Sequence, residues 1–263
     1  MVFLLSPIAE GRLSGLIFFL IALGFTIYYL TTKKVPYIRR VPAIDAIEEG
    51  IGRATELGKP IIASPGMSPA GIDTSTAAGL NILSYAAKLA ARNDVKLIVP
   101  LGGSSESYTT MELARDIVES QYSLEGNADS YNVDNLPFLS GRQFAWASAY
   151  CGLMLREKPA TNIMVGVQYA SAVYISEVGH EVGAMVISGT TYLSNIACLA
   201  ASSDYVMIGE EMLAAGAYLS RDPGQLATIR TQDIMKFVLL GLLGIGVIAL
   251  SFGSELIIEL LSS

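Results

Sequence analysis

The chain has 263 residues, 52% of them hydrophobic, and a formal net charge of −7. That acidity excludes nucleic acid as a partner, because a phosphate backbone is bound by basic patches. With two cysteines and one histidine, neither a disulfide framework nor a histidine-rich metal centre is expected.

The apolar excess collects near the two ends. Leu13 to Leu30 reads LSGLIFFLIALGFTIYYL, without a charge. A helix of about 20 apolar residues crosses a bilayer, so residues 13–32 are expected to span one, behind an extracytoplasmic tail of residues 1–12. Tyr28 and Tyr29, followed by Lys33 and Lys34, fit a retained span with an interfacial flank. A cleaved signal peptide would need a basic cluster before the run and a small-x-small site after it. Lys33, Lys34, Arg39 and Arg40 follow this span, and Lys236 opens the second. Positive-inside bias therefore places residues 33–233 in the cytoplasm, with the basic residues beside anionic headgroups.

Within residues 33–233, strands and helices are expected to alternate. Ala43–Leu57 stacks Ile44, Ile47, Ile51 and Ala54 on one face, as an amphipathic helix does. Its end, GRATELGK, resembles a phosphate-binding loop but fails it. The glycines are wrongly spaced, Pro60 stands where a magnesium-binding hydroxyl belongs, and helix precedes strand; Gly58 reads as a helix C-cap. Pro60–Ser64 is the first apolar run short enough for a buried strand. The loop SPGMSPAGIDTS follows, with Ser64, Gly66 and Asp73 as candidate ligand-binding residues, and Asp73 or Thr74 can cap the next helix.

That helix is expected over Thr74–Arg92, and a second strand over Val95–Val99. VPLGGSSES then presents Gly102, Gly103, Ser104 and Ser105, where loops of open parallel sheets bind ligands. The stretch lacks a cation and contains Glu106, and Thr109 with Glu112 has the spacing of a capping box, so a turn is the plainer reading. EGNADSYNVDN lies in a long irregular stretch, Leu124–Leu139, and does not have the spacing of a calcium loop. Ser140–Lys158 is expected as a helix opening on a Ser140–Gln143 box. Asn162–Val167 is the third strand. SEVGHEVG holds the sole histidine, His180, between glycines, and reads as a turn with solvated charges. Gly183–Ser188, Thr191–Ala201 and Asp204–Ile208 follow as strand, helix and strand. Glu210, at the start of the helix Glu210–Leu219, complements the helix dipole and is the last candidate site residue. Residues 234–254 form the second expected span, with Gly241, Gly244 and Gly246 thinning one face, before a tail of residues 255–263.

The stretches VPAIDAIEEGIGRATELGKP, REKPATNIMVGVQYASAVYISEVGHEVGAMVISGTT and SSDYVMIGEEMLAAGAYLSRDP resemble a prokaryotic family of membrane-anchored proteins catalogued only as a domain of unknown function. The resemblance implies the architecture and no activity.

Alternation of buried strands with helices gives the expected fold: an α/β, Rossmann-like or flavodoxin-like three-layer domain with a mainly parallel sheet, flanked by two transmembrane helices. No complete catalytic motif, metal set or nucleotide loop is present, and no cofactor is expected. The functional expectation is a two-pass membrane protein, both termini outside. It would meet the lipid bilayer and self-assemble as a homo-oligomer or join an unidentified protein partner. The alternative is a small-molecule or enzymatic pocket at the carboxyl ends of the strands.

Overall fold

The computed structural model describes residues 13–32, 41–67, 72–103, 108–167, 169–220 and 223–251. The expected basic flank Lys33, Lys34, Arg39 and Arg40, the loop residues Ser104 and Ser105, and both expected tails lie outside them. The chain forms two compact units, one made by its two outermost described helices and one by everything between.

The first unit contains α1 (Leu13–Thr32) and α9 (Pro223–Ser251), which pack on each other. Both are long and apolar enough to cross a membrane. The α9 helix starts well before the expected span and runs without interruption for 29 residues, about 44 Å at the helical rise. Arg230, Asp233 and Lys236 lie in its first half, and its length exceeds the roughly 30 Å of a hydrocarbon core.

In the second unit, α2 (Pro42–Leu57) leads to β1 (Ile61–Gly66), then α3 (Thr74–Arg92) and β2 (Leu97–Ile98). A short β3 (Leu101–Gly102) and α4 (Tyr108–Leu124) precede β4 (Phe138–Ser140) and α5 (Gln143–Glu157). Then come β5 (Thr161–Val167), α6 (Ala172–Glu181), β6 (Met185–Thr190), α7 (Leu193–Ser202), β7 (Tyr205–Ile208) and α8 (Glu210–Ser220). Five strands form one parallel sheet in the order β2-β1-β5-β6-β7. Numbered along the chain, that is 2-1-3-4-5, the flavodoxin-like order.

The strands are mostly apolar, and the polar residues they carry, Ser64, Thr161, Asn162, Ser188 and Thr190, are buried, because both faces of the sheet are covered. Successive side chains alternate between two cores. Ile61, Ala63, Leu97, Ile163, Val165 and Ile187 join the residues of α2, α3, α4 and α8. Ile62, Ile98, Met164 and Val186 join Trp146 and Tyr150 of α5 and Ile175 of α6. The α7 helix packs beside α6. The result is the expected three-layer α/β arrangement.

Four details differ from expectation. The Ser140–Gln143 box does not form: Ser140 ends β4, its Oγ accepts the Arg142 N–H at 3.1 Å, and α5 begins at Gln143. In SEVGHEVG the expected turn is confined to Val182–Gly183, where Gly183 has φ +77°, and the residues before it, His180 included, belong to the end of α6. Gly179 acts as a contact, since a Cβ there would come within 2.8 Å of Val186 Cγ2. Thr109 lies inside α4, with Glu112 paired to Arg115 at 3.0 Å. The stretch after α4 is structured by two 3-10 turns, Ala128–Ser130 and Val133–Asn135, and then supplies β4, which pairs with β3.

Candidate functional site

Ligand crevices in open parallel sheets form where the strand order reverses, outside the carboxyl ends. Here that point lies between β1 and β5. The two strand ends press together. A Cβ on Gly66 would lie 2.3 Å from the Val167 carbonyl oxygen, and one on Gly166 would lie 2.1 Å from that of Pro65. Both glycines have positive φ, +86° and +104°, conformations that side chains rarely adopt. Gly79 brings α3 onto the same spot, 3.2 Å from Pro65 O for an added Cβ. The glycines therefore serve close backbone contact. Ser64 is buried; its hydroxyl donates to Pro100 O and accepts the Gly66 N–H, both at 3.2 Å.

Asp73 caps α3, accepting the Thr76 N–H at 2.7 Å, and the Tyr192 hydroxyl donates to its other oxygen at 2.9 Å. Tyr192 follows β6, so this bond joins the loops after β1 and β6. Burial pushes the Asp73 carboxyl up, but hydrogen bonds from Thr76 and Tyr192 outweigh it and hold the group below its usual value. The Asp73 bond raises Tyr192, and burial followed by the Asp73 charge raises Tyr169. The mouth of the switch point is thus one ionised carboxylate beside two protonated phenols. The adjacent Ser75 hydroxyl is buried without a hydrogen-bond partner.

The remaining candidates spread along the sheet. Gly102 lies under Trp146, whose Cδ1 would be 2.2 Å from an added Cβ, and the Gly103 N–H reaches Ser140 O at 3.4 Å. They continue the β2 end, adjacent to β1. Glu210 opens α8 after β7, three strands from β1 and roughly 14 Å away at the usual strand spacing.

His180 sits at the opposite, amino end of the strands. Its Nε2 is 3.5 Å from Asp204 Oδ2, which also accepts the Val186 N–H at 2.8 Å. With Arg53, whose Nη2 donates to Gly183 O at 3.2 Å, these residues line a shallow depression of about 530 Å³. Histidine and the switch-point carboxylate are on different edges, so they form no acid–base pair. Among the described residues no three His, Cys, Asp or Glu side chains gather to hold a metal ion.

In the helical unit, Thr26 Oγ1 donates to Thr231 Oγ1 at 3.1 Å, joining α1 to α9. The Tyr28 and Tyr29 rings meet edge-on at 5.4 Å, and Lys236 lies 3.8 Å from Asp233.

The profile of one protein family, described as Domain of unknown function (DUF6754), matches residues 8–261. The chain belongs to the DUF6754 family. No curated protein and no solved structure matches it. The DUF6754 match covers both apolar helices together with the α/β unit. Three switch-point residues of this DUF6754 chain, Gly166, Tyr169 and Tyr192, were not singled out by sequence reasoning. A glycine inside an apolar strand signals close backbone approach and marks Gly166. Nothing local marks the tyrosines, which only the sheet order brings toward Asp73.

Proposed function

We propose that this protein is a membrane-tethered scaffold. Its two apolar helices hold the α/β domain at the cytoplasmic surface of a membrane, where copies of the chain assemble. The supporting observation is the surface of the helical unit. Although α1 and α9 pack together, Phe19, Leu20, Ile27, Phe237, Leu240 and Leu243 all stay exposed. In water such area costs about 25 cal/mol per Å²; in lipid it is the ordinary outer surface. Added Cβ atoms at Gly15, Gly24, Gly241 and Gly244 would meet nothing within 4 Å, which leaves room for close approach by another helix. Chemical crosslinking in native membranes tests the reading, together with the mass of the detergent-solubilised particle. Species above one chain are expected; a monomer in both experiments removes the proposal.

A second reading, ligand binding at the β1/β5 switch point, is favoured by the strand order and the buried, unpartnered Ser75 hydroxyl. A thermal-shift screen with nucleotides, sugar phosphates and acidic metabolites decides it. Stabilisation by one of them, lost in Asp73→Ala, supports the pocket, and a flat response to all of them counts against it.

A further inference from the structure

The two helical layers of the α/β unit meet solvent very differently. On one face, α2 and α4 expose the carboxylates of Asp45, Glu49, Glu56, Glu112, Asp116 and Glu119. On the other, α5 exposes Phe144 (67%), Ser148, Gly152 and Leu155 (48%). At 100° per residue these four fall within about 80° of one another, on a single stripe. Tyr174 of α6 is exposed alongside, with its carbonyl oxygen 3.8 Å from Cys151 Sγ of α5. Beyond α6, α7 carries no charged residue and exposes Leu193 to 86%.

We infer that the α5 stripe is the surface through which the cytoplasmic domains pair, and that its occupant is α5 of a second copy, running antiparallel about a two-fold axis. The inference rests on the scaffold reading and names the contact that reading needs. A two-fold interface must be self-complementary, and the stripe is: it reads large, small, small, large. With the axis near Ala149 and Tyr150, Phe144 meets Leu155 of the other copy at both ends. Ser148 and Gly152 lie at the centre, where the helix backbones come closest, and an added Cβ at Gly152 would meet nothing within 4 Å in the single chain.

Charge selects the surface. Two chains of net charge −7 repel where the α2 and α4 carboxylates meet, whereas Phe144, Ser148, Gly152 and Leu155 themselves carry no charge to desolvate. An anionic lipid surface fits it less well, because Glu177 and Glu181 of α6 are exposed beside the stripe and are repelled by its headgroups. Arg142, Arg156 and Lys158 are exposed about the two ends of α5, with Arg156 paired to Glu157 at 3.0 Å. Tethering in one membrane plane raises the effective concentration of the partner, so a contact of one helix stripe suffices.

Full-length protein in membranes provides the test. In a Cys151→Ala, Cys198→Ala background, single cysteines from Ser148→Cys or Gly152→Cys are expected to give a dimer with a short bismaleimide, and Glu49→Cys none. Phe144→Glu with Leu155→Glu is expected to abolish the dimer while leaving the circular dichroism melt unchanged. Crosslinking from Glu49→Cys alone, or wild-type mass in the double variant, overturns the inference. If Gly241→Leu with Gly244→Leu disperses the assembly and the α5 variants do not, this surface falls and the scaffold reading stands. A wild-type chain that is monomeric throughout removes both.

Discussion

Gly50 and Gly52 occupy the same helix and have opposite roles. A Cβ at Gly50 would lie 2.7 Å from Thr161 Oγ1, which donates to the Gly50 carbonyl at 2.9 Å and joins α2 to the start of β5. A Cβ at Gly52 would meet nothing within 4 Å. Gly50→Ala is therefore expected to destabilise by about 1–3 kcal/mol through overpacking. Gly52→Ala should stabilise by about 0.5–1 kcal/mol through helix propensity. Chemical denaturation of the two variants in parallel checks both signs, and equal shifts would refute the contact. Sequence alone did not separate these glycines. Nor did it assign Ser64, a candidate ligand group whose hydroxyl lies buried between Pro100 O and the Gly66 N–H.

Elements with local start and stop signals were legible. The α3 helix spans the expected residues because Asp73 supplies the cap, and Gly58 ends α2 with φ +59°. Elements formed by distant pairing were not. The short β3 and β4 strands exist because Val99 and Leu101 N–H groups find Asn135 and Pro137 carbonyls, a register no local pattern announces. The α5 helix starts late for the same reason, since β4 takes Ser140. The Asp73 cap carries a prediction about pH. Its folded-state carboxyl titrates below the usual value. The stabilisation is thus present above the unfolded pKa, near 4, and is lost as pH falls through the folded value. Asp73→Ala should cost about 1 kcal/mol at neutral pH and progressively less in acid, whereas Asp73→Asn keeps most of the cap and removes the titration. Denaturation midpoints measured between pH 7 and pH 3 decide this; a constant cost across that range would contradict it.

For the whole molecule, the decisive question is which side of the membrane holds the domain. The scaffold reading needs residues 33–233 on the cytoplasmic side, held by helices that do not leave the bilayer. The protein is expected to stay in the pellet after alkaline carbonate extraction. Protease added to sealed, right-side-out cells should leave the α/β unit intact, and the same protease should digest it in inverted vesicles. Release by carbonate or digestion in intact cells would refute the topology.

Composition and periodicity, read along the chain, determined the two apolar helices, the alternation of strands with helices and a sheet buried on both faces. These are one-dimensional properties, because a bilayer span requires a long apolar run and a buried strand a short, mostly apolar one. Tertiary structure alone decided the order 2-1-3-4-5, the meeting of Asp73 with Tyr192, the placement of His180 on the opposite edge and the exposure of Phe144 and Leu155 on one stripe of α5. Each of these depends on which distant segments become neighbours, and the energies that choose neighbours come from packing between residues far apart in the chain.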